Sequence, residues 1–336
     1  MKKILALVMV LAMAVAFTAC GGGGGGDEAS GEPVKFIVGT ATQETSNTAK
    51  ALQEMEANIE EISGGAVDVE IYYSETLGSE SEMIEQLSMG SVNLVLPGST
   101  LLTSYDQKFG IWDIPFLFTS YDAVEAALDG ELGEQWASWM EEYGYHSFGI
   151  IPTGFRGLSN SKHEVKTADD MKGLKIRVMD SSTYVDTFNA LGANTVTMNY
   201  SDVYSALQQG VIDGQDNPAE FTVSAGFYEL QDYYTRLNHV MCMMPVFTSK
   251  DYYEGLTDEQ REAIDQGVSE MITNLSQSFK DNEDGFVKQM ADSGVKITEL
   301  SDEEMQTFVD KVGSVHDQFR KTLGDELFDL CMSYSK

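Results

Sequence analysis

Leu174-Lys175-Ile176-Arg177-Val178-Met179 reads as a β-strand, with Leu174, Ile176 and Val178 on one face and Lys175, Arg177 and Met179 on the other. A helix follows from Ser181 to Leu191, opened by a serine whose hydroxyl can accept from a first-turn amide. Thr195 to Met198 is the next strand, and Ser201 to Gln209 is a second serine-capped helix, closed by Gly210. Ile212-Asp213 then leads through a polar loop to a further helix from about Pro218. Strands that alternate with helices pair in parallel through right-handed crossovers, so this stretch is an α/β unit.

The same plan stands earlier in the chain. Val34 to Thr40 is a strand, and Ala49, Leu52, Met55, Ile59 and Ile62 fall at spacings of three and four, the stripe of a helix packed on a sheet. Val67, Val69 and Ile71 alternate as a second strand, Ser79 to Met89 is a helix, and Val92 to Leu96, stopped by Pro97-Gly98, is a buried third strand. From Thr257 the pattern is helical almost to Lys336, broken by a short strand near Gly294-Val295-Lys296-Ile297. Helices of that length can brace both units. The fold class expected is α/β, with two α/β domains and a central ligand cleft between them, a preferred position for small-molecule sites.

The N-terminus belongs to neither unit. Lys2 and Lys3 precede fourteen apolar residues, Ile4 to Phe17, a run shorter than the roughly 20 that a membrane span needs. Phe17-Thr18-Ala19-Cys20 follows, and together these describe an export signal. Cysteine directly after small residues resembles a bacterial lipobox, with Phe17 where leucine is usual, so residues 1–19 are expected to be removed and Cys20 lipidated. Residues 20–33, with glycine from Gly21 to Gly26, make a flexible tether reaching about 20 Å.

Composition excludes other classes. Among 336 residues, 21 Lys+Arg oppose 54 Asp+Glu, a formal charge of -33, which argues against nucleic acid as a partner because phosphate contacts need clustered basic residues. At 42% hydrophobic and 10% aromatic, the chain is no disordered acidic tail. Cys242 and Cys331 lie too far apart in sequence to suggest a disulfide framework and read as two buried or free thiols.

No catalytic or cofactor motif emerges. His146, His163, His239 and His316 are isolated, without zinc spacing. Gly157-Leu158-Ser159-Asn160-Ser161 lacks the last glycine of a nucleophile elbow, and Asp213-Gly214-Gln215-Asp216-Asn217 lacks the alternating acids and distal Glu of a calcium loop. The glycine run is not closed by Gly-Lys-Ser/Thr, so it is no P-loop. No metal and no cofactor is expected.

Arginine is more informative because there are only five, Arg156, Arg177, Arg236, Arg261 and Arg320. A guanidinium on a buried strand must be paired, and its planar fork fits a carboxylate bidentately. For Arg177 that partner is either an internal acid or a ligand. Arg156, in Thr153-Gly154-Phe155-Arg156-Gly157, reads as a solvent-exposed charge.

Met171 to Val178, Ala190-Leu191-Gly192-Ala193 and Asp202 to Pro218 together resemble the solute-binding proteins of tripartite ATP-independent periplasmic (TRAP) transporters, of the DctP type. Leu77-Gly78, Ile114 to Phe118, Gly154-Phe155-Arg156, Ser159-Asn160 and Asn238-His239 extend the resemblance from Val34 to the C-terminal helices. It implies two domains, 34–153 plus about 242–281 and 154–241 plus about 282–336, joined by crossing strands and a long helix and closing over one anionic ligand. It implies that Arg177 clamps a ligand carboxylate, that Asn217 and Arg156 assist, and that Tyr200 lies against the bound molecule. The expected function is capture of a carboxylate-containing organic acid outside the cytoplasm, without catalysis. Delivery would be to TRAP permease subunits, beside a membrane holding the Cys20 lipid. A ligand-sensing surface lipoprotein or an exported enzyme are the alternatives. Met179 and Tyr200-Ser201-Asp202 depart from residues common in relatives, so the particular acid does not carry over.

Overall fold

Two β-sheets, of five and six strands, share the chain between residues 34 and 298 in the computed structural model, which describes residues 32–335. In chain order the elements are β1 (Val34–Gly39), α1 (Asn47–Ile62), β2 (Val67–Tyr72), α2 (Glu80–Ser88), β3 (Leu94–Val95), α3 (Tyr121–Leu128), α4 (Glu131–Glu142) and β4 (Tyr145–Phe155). The chain continues with β5 (Gly157–Asn160), β6 (Lys175–Val178), α5 (Ser182–Ala190), β7 (Asn194–Thr197), α6 (Val203–Gln208), β8 (Gly214–Asn217), α7 (Ala219–Ser224) and β9 (Tyr233–Thr235). It ends with β10 (Met241–Ser249), α8 (Lys250–Gly255), α9 (Asp258–Asp292), β11 (Lys296–Thr298), α10 (Asp302–Val309), α11 (Gly313–Leu323) and α12 (Asp325–Ser333). The expected signal, the Cys20 lipid site and the glycine tether lie outside the described residues.

The first sheet has the order β2-β1-β3-β10-β4 and the second β11-β9-β5-β8-β6-β7. β1 pairs in parallel with β2 and β3, and β6 with β7 and β8, the pairings that alternating strands and helices impose. The expected all-parallel first unit is incomplete: β4 and β10, the two longest strands, pair antiparallel with one another and extend that sheet. Neither was apparent in sequence, because Gly149 and Pro152 break up β4 and β10 is buried on both faces around Pro245, so neither shows period-two alternation. The third strand shortens to Leu94–Val95, and the Ser201 helix opens as a tight 3₁₀ turn over Tyr200–Asp202.

The chain passes between the sheets three times in the described residues, twice by short crossings and once through α8 and α9 from β10 to β11. Arg156 is the single residue between β4 and β5, and residues 236–240 lead back from β9 to β10. The amide of Arg156 donates to the Val240 carbonyl at 2.9 Å, tying the two crossings together. α9, 35 residues and so about 52 Å long, packs on α1 and β4 of the first half and on α7 and β11 of the second. Its capping box at Thr257 and Gln260 fixes the start. Gly267 lets α1 approach closely, since a Cβ there would collide with Ile59. Among the described residues, no helix is long and apolar enough to cross a membrane.

Candidate functional site

A cavity with about 440 Å³ of atom-free space, partly open to solvent, lies between the two sheets. Its wall is built just beyond the C-terminal ends of parallel strands, where open α/β sheets leave a crevice. Ala41 and Thr42 follow β1, Leu96 and Gly98 follow β3, Met179 follows β6, and Asn217 ends β8. Glu80 at the start of α2, Phe221 of α7, Cys242 and Met244 of β10, Tyr200 and Arg156 complete it.

The structure brings three of the four expected binding residues, Arg156, Asn217 and Tyr200, into this wall. Arg177, two residues before Met179, is not among the wall residues and is 3% exposed. Its Nε and Nη2 both donate to the Met198 carbonyl, at 3.1 and 2.7 Å, and its Nη1 has no hydrogen-bond partner among the described residues. No described Asp or Glu is within ion-pair distance of it. Burial pulls its proton affinity down, Asp216 opposes this and Arg156 adds to it. Met179 reaches from the second half across to Gly98 of the first, where a Cβ would meet its methyl group.

Arg156 is not the exposed charge that its loop position suggests. It is 1% exposed, with Nε 2.6 Å from Asp216 Oδ2 and Nη2 donating to the Asp216 carbonyl, also at 2.6 Å. Nη1 meets Cys242 Sγ at 3.3 Å, and the guanidinium lies 5.1 Å from the centre of the Tyr184 ring. Burial opposes charge on Asp216, but Arg156 and His239, whose Nε2 is 3.4 Å from Oδ2, more than offset it and hold the carboxyl well below its usual range. The arginine facing the cavity is thus neutralised from within. Asn217 Nδ2 donates to Gln215 Oε1, and the Tyr200 hydroxyl to the Phe221 carbonyl at 3.2 Å. Cys242 and Cys331 are both buried and unpaired.

Glu80 went unnoticed in sequence. Its Oε1 accepts from the Gly98 amide at 3.1 Å, and burial, with Glu75 nearby, pushes its carboxyl up to about 7 against the pull of that amide, Arg177 and Arg156. Leu77-Gly78 just ahead of it entered only as part of the family resemblance, and nothing local marks Glu80 as facing the crevice. Asp216 was weighed only as a calcium ligand, because pairing with an arginine 60 residues away leaves no local pattern. Among the described residues, no three His, Cys, Asp or Glu side chains are grouped to hold a metal.

Residues 38–322 match the bacterial extracellular solute-binding protein family 7, DctP. A solute-binding protein of Chromohalobacter salexigens is 30% identical over 270 residues, 80% of each chain. The sugar acid binding protein of Advenella mimigardefordensis, in complex with galactonate, superposes with a TM-score of 0.87 at 26% identity, covering 90% of this chain and 98% of the other. A TRAP periplasmic solute binding protein of Shewanella oneidensis with bound succinate gives 0.87 at 26%, covering 90% and 100%. With the family matched across both sheets and the cavity between them, this chain belongs to the bacterial extracellular solute-binding proteins of family 7.

Proposed function

We propose that the protein captures one carboxylate-bearing organic acid in the cavity between its sheets and releases it unchanged to the permease of a TRAP transporter for ion-coupled uptake. The observation that carries this reading is Arg177: buried, without an ion-paired acid among the described residues, and two residues before Met179 of the cavity wall. A buried guanidinium without a countercharge is costly, and a ligand carboxylate removes that cost. Asn217 adds an amide donor without adding charge, and Tyr200 gives the ligand a ring to lie against. Met179, unbranched and flexible, is a wall residue that can adapt its shape to the bound acid.

The domains proposed are residues 34–153 plus about 242–281 and 154–241 plus about 282–336, closing about the crossings at Arg156 and residues 236–240. One charge-assisted hydrogen bond contributes about 1.5 to 3 kcal/mol, and micromolar affinity needs about 8. Apolar contact and closure therefore supply the remainder. Lipid on Cys20 would hold the protein beside its permease on the outer side of the cytoplasmic membrane, with residues 20–33 as the tether. A thermal-shift panel of organic acids tests the reading, since ligand at 100 times its dissociation constant stabilises by about 2.7 kcal/mol. Arg177→Ala is expected to fold and lose the shift; a variant that binds as the parent does would refute the clamp.

A further inference from the structure

The cavity wall carries one carboxyl that the chain does not neutralise. Asp216 is consumed by Arg156, whereas Glu80 spends Oε1 on the Gly98 amide and leaves Oε2 without a hydrogen-bond partner among the described residues. Arg177 is then the only guanidinium near the cavity with no acid bound to it among the described residues. A ligand with two carboxylates would satisfy one at Arg177 and bring the other towards Glu80, with no free cation to receive it. Like charges brought together in such a cavity repel.

The remaining wall limits the ligand in a second way. Leu96, Met179, Phe221 and Met244 are apolar, the Tyr200 hydroxyl already donates within the protein, and the amide hydrogen that Asn217 has left after bonding Gln215 is the one offered to the carboxylate. An acid with a hydroxyl on every carbon would lose hydration at most of them without finding partners, at a cost for each buried polar group. A single hydroxyl or amine has a place, because Glu80 Oε2 is an open acceptor.

Resting on the capture of a carboxylate at Arg177, we propose that the ligand is a monocarboxylic acid with a largely hydrocarbon body whose second polar group donates a hydrogen bond to Glu80. Dicarboxylates and polyhydroxylated sugar acids are selected against. Glu80 is thereby the residue that sets specificity, as Arg177 sets affinity for the carboxylate.

The test is calorimetric titration of the purified protein at pH 8. The probes are 2-, 3- and 4-hydroxy and amino monocarboxylates of four to six carbons, the matching unsubstituted acids, succinate, glutarate and galactonate. The best donor-bearing monocarboxylate is expected to bind at least tenfold more tightly than its unsubstituted counterpart, either dicarboxylate or galactonate. Glu80→Gln, which keeps an oxygen for the Gly98 amide, is expected to shrink the preference over dicarboxylates at least fivefold. Because the readout is a ratio within one variant, a change in its folding does not mimic the result. Dicarboxylates or galactonate binding as tightly as every donor-bearing monocarboxylate, or an unchanged ratio in Glu80→Gln, would overturn the assignment to Glu80 while leaving capture at Arg177 intact. Failure of every carboxylate to bind would overturn both.

Discussion

Arg156 Nε and Asp216 Oδ2 lie 2.6 Å apart where the chain first passes from one sheet to the other, with 1% and 0% of their side chains exposed. The pair belongs to the crossing itself, since the Arg156 amide also holds the second crossing at Val240. Removing one member of a buried ion pair strands the other's charge. Asp216→Ala is therefore expected to lower the unfolding free energy by about 3 to 5 kcal/mol in urea titrations. A loss below about 1 kcal/mol would show that the pair contributes nothing beyond an exposed one.

Two carboxylates reach across the cleft in opposite directions. Glu75, after β2, accepts from the Ser201 amide at 3.1 Å, and Glu220 of α7 accepts from the Asn47 amide at the start of α1 at 3.2 Å. Neither contact involves ligand, yet both exist only while the halves are together. Glu75→Ala is expected to weaken ligand binding about two- to fivefold by depopulating the closed state. Titration calorimetry checks it, and unaltered affinity would mean that closure does not depend on this contact.

Gly267 sits where α9 meets α1, against Ile59. Gly267→Ala would ordinarily favour a helix by up to about 1 kcal/mol, but here the added methyl must displace Ile59. The packing cost, about 1 to 3 kcal/mol, is expected to win, and thermal unfolding should move down by several degrees. A rise in melting temperature would show that the helices separate without cost.

Stability should fall as pH rises. Burial pushes the carboxyls of Glu80, Asp113 and Glu220 each up to about 7, above the usual carboxylate range. A raised carboxyl stabilises the folded state in full below its unfolded pKa and loses that contribution as pH climbs through its folded value. Asp216 runs the other way: its contribution is present above the unfolded value and disappears as pH drops through the depressed one. The melting temperature is therefore expected to peak near pH 5 and fall by at least about 5 °C towards pH 8. A flat profile between those values would contradict the burial of these groups.

β1, β2 and β6 were legible because they are short apolar or alternating runs beside helical stripes, and α9 announces itself by length. By contrast β8, Gly214-Gln215-Asp216-Asn217, has no apolar side chain and reads as a polar loop, so the strand that carries Asp216 and Asn217 emerges only in three dimensions. Residues 99–142 were opaque. They fold as 3₁₀ turns and two short helices whose apolar residues are buried on several sides, which erases the single stripe that periodicity detects. In the site, scarcity singled out Arg156 and Arg177, but only the three-dimensional structure distinguishes the one that is spoken for from the one that is not. Glu80 was hidden among many acids of a very acidic chain. Its distinction is position, which composition does not encode.

α9 packs on both halves along 35 unbroken residues without a proline and is itself the third passage, beside two short crossings. Two crossings define an axle, and a third attachment set apart from it cannot turn freely with them. Any swing of the halves must flex this rod, and a flexed rod recoils. Relative rotation of the two halves is therefore expected to cost strain in this helix.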